Sequence, residues 1–331
     1  MDAAAMRVRA AEIAEDVLFP AALGVDRTDR IPPGHFDLLA AEGFYGVAAP
    51  AAAGGLSMDD FASAAAIIEA LASGCLATAF VYLQHHGPMI AAATSTEPGI
   101  AERFVGPLAR GERRGGIALS GLRAGGLRIR AVAGGYRLDG ETPWVTGWGL
   151  IDTVQVAARG EDNIIRYLLA DAVDAPTLVP TPLALVAATA SRTVNLRFDH
   201  HVVPADRLTS SIDYDEWLAN DAGGSALNGF LAVGVAARCA KLLGPSPLDG
   251  EVAACREALL HADTAGTPAA RAGASALALR AATILLVSTG ARSVLRDHHA
   301  QRLLREAAFL QVFGTRPAIK SALLNRYANR L

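Results

Sequence analysis

The chain has 331 residues, 52% of them hydrophobic and 19% charged, with 30 Lys and Arg against 33 Asp and Glu. A net charge of -3 without a basic stripe excludes nucleic acid as the main partner. The length suffices for roughly two or three modules around sizeable cores, and the high apolar content suits a subunit that hides surface against copies of itself. Cys75, Cys239 and Cys255 are widely spaced, odd in number and without a CxxC pair, a pattern that points to buried thiols in a reducing compartment. The first thirty residues mix Asp, Glu and Arg with Ala and lack the apolar core of a signal peptide. The most hydrophobic stretch, 281–291, is closed by Arg280 and Arg292 and falls short of the ~20 apolar residues that span a bilayer. The expectation is a cytoplasmic protein with no membrane segment.

Residues 1 to about 110 read as helices. Pro32-Pro33 open a short helix that ends at Gly43, a residue that takes left-handed φ without strain. Ser57 with Asp60 forms an N-terminal capping pattern for the helix carrying Phe61, Ala65, Ile68 and Leu71. A further helix covers 76–94, interrupted near Gly87-Pro88, where proline removes a backbone donor. From Gly115 the pattern changes to short β-type runs at 117–120, 127–133, 136–138, 151–158, 164–169 and 190–198. Gly134-Gly135 suits a hairpin, and 160–163 marks another turn. These runs predict an antiparallel barrel or sandwich of about ninety residues. Strand signals stop near 221, and helices are expected at 223–243, 249–263, 268–296 and 298–329, the last broken around 314–317. The third is apolar around most of its circumference, as in a bundle completed by neighbouring subunits. The fold class is therefore α+β, with an N-terminal helical domain at 1–112, a middle β domain at 113–210 and a C-terminal four-helix bundle at 211–331.

Common catalytic signatures are missing: no GxGxxG follows a strand, and neither GxxxxGK[ST] nor GxSxG occurs. The pairs His85-His86, His200-His201 and His298-His299 invite a metal reading, but sequence neighbours point in different directions and no HExxH accompanies them. Capping or surface roles account for them more simply. In Gly140-Glu141-Thr142-Pro143-Trp144-Val145-Thr146-Gly147, a Trp and a Thr two apart on a strand are expected on one side of the sheet. The indole would give a planar ligand a flat wall and the hydroxyl would donate to a ring nitrogen. The same spacing also fits a core Trp beside a Thr chosen for strand propensity.

Taken in order, several segments carry a resemblance. They are Gly43-Phe44-Tyr45-Gly46-Val47 with Pro50 and Gly54-Gly55, then Ala118-Leu119-Ser120, then Gly135-Tyr136-Arg137-Leu138-Asp139-Gly140 leading to Trp144-Val145-Thr146. Val203-Pro204-Ala205-Asp206-Arg207, Arg305-Glu306-Ala307 and Gly314-Thr315 complete the series. Together they resemble the acyl-CoA dehydrogenase superfamily over nearly the whole chain. The resemblance implies FAD between the β domain and the bundle, an acyl-CoA substrate and a homo-oligomer, dimer or tetramer. It gives Trp144 and Thr146 the place beside the isoalloxazine, and Leu119 and Ser120 the pyrimidine edge. It sets His85 and His86 in the region that approaches the substrate, although helix capping is the simpler explanation for them.

The departures concern chemistry. Members of the family remove a proton next to the thioester with a carboxylate while flavin N5 takes hydride from the next carbon. The family commonly places that Glu just before Gly-Thr; here Phe313 stands there, and anchoring on Arg305-Glu306 gives Gly314 instead. The alternative position on the first bundle helix falls in Ala226-Leu227-Asn228-Gly229-Phe230-Leu231, which has no carboxylate, with Glu216 and Asp221 upstream. The family's Gly-Ser-Asp turn for the pyrophosphate is replaced by Gly121-Leu122-Arg123-Ala124-Gly125-Gly126, and its Arg-x-x-Phe-Gly element by Gly244-Pro245-Ser246-Pro247. Arg123 or Arg128 could supply charge to phosphates, or could simply be solvated. Three readings stay open: a flavin oxidoreductase on an acyl thioester, a flavin-dependent monooxygenase of the same fold for which FMN would suffice, and a non-catalytic scaffold with or without flavin, either a pseudoenzyme or the silent partner in a hetero-oligomer whose other chain supplies base and cofactor contacts.

Overall fold

Asp2 accepts a hydrogen bond from the Ala5 amide at 2.8 Å and so opens α1 (Ala3–Ile13), which continues through a wide turn into α2 (Phe19–Thr28). The computed structural model describes residues 2–56, 60–220 and 226–328. As the prolines predict, α3 (Pro33–Ala41) starts at Pro33, and Gly43 beyond its end has φ 79°. Asp60 caps α4 (Phe61–Gly74) by accepting from the Ser63 amide at 2.9 Å, whereas Ser57 lies outside the described residues. The expected break in the next helix falls at His85, between α5 (Leu76–Gln84) and α6 (His86–Thr94). Pro88 has no N–H for the carbonyl four residues back and its ring crowds that carbonyl, so the disruption appears in the turn before it. Then come α7 (Ile100–Ala109), β1 (Gly115–Ala118) and the short α8 (Gly121–Ala124).

The middle of the chain supplies β2 (Leu127–Val132), β3 (Gly135–Val145), β4 (Thr153–Arg159), β5 (Ile164–Asp171), β6 (Leu178–Pro182), β7 (Val194–Pro204) and β8 (Leu208–Asp213). They form one sheet in the order β6-β7-β3-β2-β4-β5-β8, with β1 added against β4. Most neighbours are antiparallel, as expected, and two pairings, β1–β4 and β2–β4, are parallel. The β2–β3 hairpin turns at Gly134, φ 82°, where the sequence places it. Gly140 needs its missing side chain: φ is 115° and a Cβ would sit 1.9 Å from the Gly126 carbonyl oxygen. The run expected at 190–198 begins later, at Val194, because Thr189–Ser191 form a tight turn between Ala188 and Arg192, both at positive φ.

The bundle follows α9 (Tyr214–Asn220) and consists of α10 (Gly229–Leu243), α11 (Pro247–Leu260), α12 (Thr267–Thr289), α13 (His299–Phe309) and α14 (Pro317–Ala328). Ser246 and Asp249 form a reciprocal capping box at the start of α11. Among the described residues one helical stretch, Thr267–Val294, is long and apolar enough by length and composition to cross a membrane. The stretch is longer than 281–291 because small Ala, Gly and Thr residues extend it towards its start, and the core helix of a folded domain meets the same length and composition. In the fold α12 packs against α10, α11, α13 and α14.

One apolar cluster runs from Met6 to Leu310 and joins the N-terminal helices to the bundle, while a second, with Leu138, Val156 and Phe198, fills the sheet. Bundle arginines reinforce the join: Arg238 reaches Glu15, Arg256 reaches Glu69 and Arg305 reaches Asp26. The sheet's strand ends and the α5–α6 break therefore meet over a firmly seated base.

Candidate functional site

β3 does not keep a regular ladder to its end. Its pairing with β7 shifts between Thr142 and Val145, and Trp144, inside that bulge, has φ 64°. A bulge interrupts the two-residue alternation, so Trp144 and Thr146 part company. Trp144 is 58% exposed while Thr146 is buried at 2%. The expectation that both face one side is corrected on this ground. The Thr146 hydroxyl lies 3.1 Å from that of Thr193, which lies 2.8 Å from that of Ser191, giving a buried chain of three hydroxyls. The Gly147 amide donates to the Ser191 carbonyl at 2.8 Å. Sequence reasoning missed Ser191 and Thr193, whose only signal is a hydroxyl-rich stretch ahead of β7.

Leu119 and Ser120 follow β1 and reach the same end of the sheet. The Gly121 amide donates to the Thr142 hydroxyl at 2.9 Å, and a Cβ on Gly116 would lie 3.3 Å from the Thr146 carbonyl oxygen. Ser120 is half-buried and its side chain makes no capping bond to α8. Leu119, also half-buried, packs into a small cluster with Leu122, Ala157, Ile165, Tyr214 and Trp217. The turn after Ser120 closes on itself: the amides of Leu122, Gly125 and Gly126 donate to the carbonyls of Leu119, Leu122 and Gly121. Arg128 is exposed on β2.

His85 and His86 are enclosed at the α5–α6 break. His85 Nδ1 accepts from the Gly115 amide at 3.0 Å and its ring stands edge-on to Tyr45 at 4.6 Å, while its Nε2 is buried without a partner. His86 donates from Nδ1 to the Leu83 carbonyl at 3.2 Å and lies edge-on to Tyr82. Burial pushes the first down to about 3 and the second to about 4. Both rings are neutral, and His85 ties the N-terminal helices to β1.

Phe313, half-buried past α13, stands edge-on to Phe80 of α5 at 4.7 Å and stacks on Phe309 at 5.7 Å. Its carbonyl accepts from Arg271 at 3.2 Å. Glu306 of α13 is turned into the core, where its Oε1 accepts from Arg302 at 2.7 Å and its Oε2 has no partner. Burial raises its pKa, partly opposed by Arg302. Glu216 is exposed on α9, and Asp221 lies outside the described residues.

The sequence model of the acyl-CoA dehydrogenase N-terminal domain matches residues 2–112. Benzylmalonyl-CoA dehydrogenase of Aromatoleum aromaticum is 29% identical over 161 residues, 46% of this chain and 42% of that protein. The mitochondrial short-chain specific acyl-CoA dehydrogenase of Bos taurus is 28% identical over 222 residues, 61% of this chain and 52% of that protein. The matches thus span about half the length of these curated relatives. Butyryl-CoA dehydrogenase from Megasphaera elsdenii has the same fold, with a TM-score of 0.85 at 18% identity, covering 99% of this chain and 100% of that one. The N-terminal third of the chain thus matches the acyl-CoA dehydrogenase N-terminal domain, and the chain as a whole has the acyl-CoA dehydrogenase fold. In this chain Phe313 precedes Gly314-Thr315, the turn after Ser120 is bonded to itself, and an indole is exposed at the end of β3.

Proposed function

We propose that the chain is an acyl-CoA dehydrogenase-type flavin oxidoreductase acting on an acyl thioester or a related small molecule. Leu119, Ser120 and Trp144 form its flavin side, Thr146 supports that strand end from the core through Thr193, and Phe313 stands where a carboxylate base would serve. The observation that carries this reading is Trp144. A large indole that is 58% exposed in a left-handed backbone conformation is costly to hold without a ligand to cover it. It sits at the sheet end that also presents the half-buried Ser120 hydroxyl.

These residues suit the ring of a flavin. The dinucleotide half is served less well, since the amides after Ser120 are already bonded within their own turn. FAD is the cofactor proposed, with FMN as the alternative. A flavin in this place would accept hydride from the acyl chain. The chain's own part is to wall the ring with Trp144, to hold the Thr146 hydroxyl through Thr193 and Ser191, and to exclude water with Phe313. Phe313 cannot take the proton beside the thioester.

That last point favours a second reading, a non-catalytic subunit whose partner chain supplies the base. It is supported by the close seating of Phe313 between Phe80 and Phe309. The monooxygenase alternative needs no such base. Oligomer formation is part of the proposal and is motivated by exposed Val287, Val294 and Leu295 at the end of α12 and just beyond it. A cytoplasmic setting is proposed from the three free cysteines.

The deciding experiment is a visible absorbance spectrum of the purified protein, followed by titration with FAD and then FMN. Saturable binding that shifts the flavin bands, and that weakens in Trp144→Ala, is expected. A colourless chain that binds neither flavin sinks the enzymatic readings for this chain alone and leaves the subunit reading.

A further inference from the structure

Arginine stands directly opposite arginine twice in the sheet. Arg130 of β2 faces Arg137 of β3 in the antiparallel ladder, and Arg128 of β2 faces Arg159 of β4 in the parallel one. Like charges in facing positions destabilise a sheet, and a chain with a net charge of -3 has no surplus of cations to distribute. All four arginines line one cleft of about 460 Å³, a volume in the range of small-molecule sites.

The acidic residues of the cleft do not balance them. Asp139 is already engaged: it accepts from Arg137 Nε at 2.8 Å and from the His200 amide at 3.1 Å, and lies 2.9 Å from His200 Nδ1. Glu161 also lines the cleft but is exposed to solvent. Among the described residues Arg128 and Arg130 have no carboxylate partner. The Arg159 guanidinium lies 4.0 Å over the Tyr214 ring, and its Nε is buried with no hydrogen-bond partner. One guanidinium is thus fixed by stacking and retains donor capacity.

We propose that this cleft binds a diphosphate group, free or carried by a nucleotide. Guanidinium groups match phosphate oxygens with paired donors, and an anion between facing arginines turns their repulsion into attraction. Arg128 and Arg130 are two residues apart on one strand, roughly 7 Å, so the two facing pairs offer two phosphate positions rather than one. Arg137 and Asp139 precede Trp144 by seven and five residues, roughly 16–23 Å along an extended strand. The cleft therefore lies toward the hairpin end of β3, and the inference does not depend on the flavin reading.

The test is isothermal titration of inorganic pyrophosphate, and separately of ADP, into the full chain in low-salt, phosphate-free buffer. Saturable binding at one site per chain is expected, weakened about 10- to 100-fold by Arg128→Ala or Arg130→Ala, as for lost hydrogen bonds to charged groups. Equal affinity for the two ligands assigns the site to a free diphosphate, and tighter ADP binding assigns it to a nucleotide; either supports the proposal. Binding of neither ligand, or binding retained in the double variant, overturns it, as does capture of an acidic peptide when both phosphates are silent. Thermal melts supply an independent reading. Without ligand Arg130→Ala should melt no lower than the wild type, because a like-charge pair is gone, and it should lose the upward shift that pyrophosphate gives the wild type. A variant that melts far lower would show that Arg130 serves the fold, against the proposal. A failure of FAD to bind leaves these outcomes unchanged.

Discussion

Replacing His85 and His86 together by asparagine should remove most of the acid sensitivity that these buried rings give the fold. In the native state His85 is pushed down to about 3, by burial first and then by the neighbouring His86, and His86 is pushed down to about 4 by burial. The ordinary value for both is 6.5. Above pH 6.5 neither state binds the protons, and the stability attached to the neutral rings is fully present. Below it the unfolded chain takes up protons that the folded chain refuses, so stability falls until the native values are reached. At pH 5 each histidine accounts for about 2 kcal/mol of lost stability, and the pair for about 4 kcal/mol. That is a large share of the ~5–15 kcal/mol that holds a typical protein folded.

Asparagine suits the test because its amide can replace the ring Nδ1 at each site. It can accept from the Gly115 amide in place of His85 and donate to the Leu83 carbonyl in place of His86. The assay is urea unfolding at pH 8, 7, 6 and 5 for the wild type and the double variant. The variant starts lower at pH 8, because the edge-on contacts with Tyr45 and Tyr82 are lost. Its curve should nevertheless be flatter, so that the two converge or cross by pH 5. Contributions from His35 and Glu306, common to both proteins, cancel in the difference. Parallel curves would refute the reasoning, since the acid sensitivity would then originate elsewhere.

Three further outcomes follow from particular contacts. Phe313→Glu should create or raise acyl-CoA dehydrogenation, followed with an artificial electron acceptor; no gain with flavin bound and the fold intact counts against placing Phe313 beside the substrate. Glu306→Gln leaves Arg302 buried without its counter-charge and should cost about 3–5 kcal/mol in urea unfolding, whereas adding Arg302→Met should recover most of that loss. Recovery of nothing would mean the pair is not coupled. Trp144→Gly should leave stability unchanged or raise it by about 1 kcal/mol, because glycine tolerates the positive φ. The same change should weaken flavin binding, and a fall of about 2 kcal/mol in stability instead would make the indole a structural residue.

The helices were legible because the signals that bound them are local. Pro33, Gly43 and Asp60, Gly244 before the Ser246 cap, and the break at Gly314 to Pro317 each act within a turn of the boundary they set. The strands that escaped detection, β6 and β8, lie at the two ends of the strand order, and β6 carries Pro180 and Pro182. An edge strand can give up ladder donors and apolar alternation, which are the features a sequence search uses. The parallel joins of β1 and β2 to β4 were out of reach for another reason. Nothing in Gly115–Ala118 specifies that its partner is Thr153–Val156, since the choice depends on how the whole sheet closes over its core.

The site was legible where a residue is present or missing, and illegible where its direction matters. That Phe313 and not a carboxylate precedes Gly314-Thr315 can be read directly, but the aromatic edge that meets Phe313 comes from Phe80, far away in the chain. Placing Trp144 and Thr146 on one face assumed a regular two-residue period, and that assumption holds only while the ladder with β7 stays in register. The bulge at Thr142–Val145 cancels it, leaving the hydroxyl in the core and the indole in solvent. Glu306 shows the opposite case. Its spacing of four from Arg302 on one helix already predicts a pair on a shared face, and burial of both partners then binds that carboxylate to its arginine. The acid of α13 is therefore held by the bundle core and engaged with Arg302.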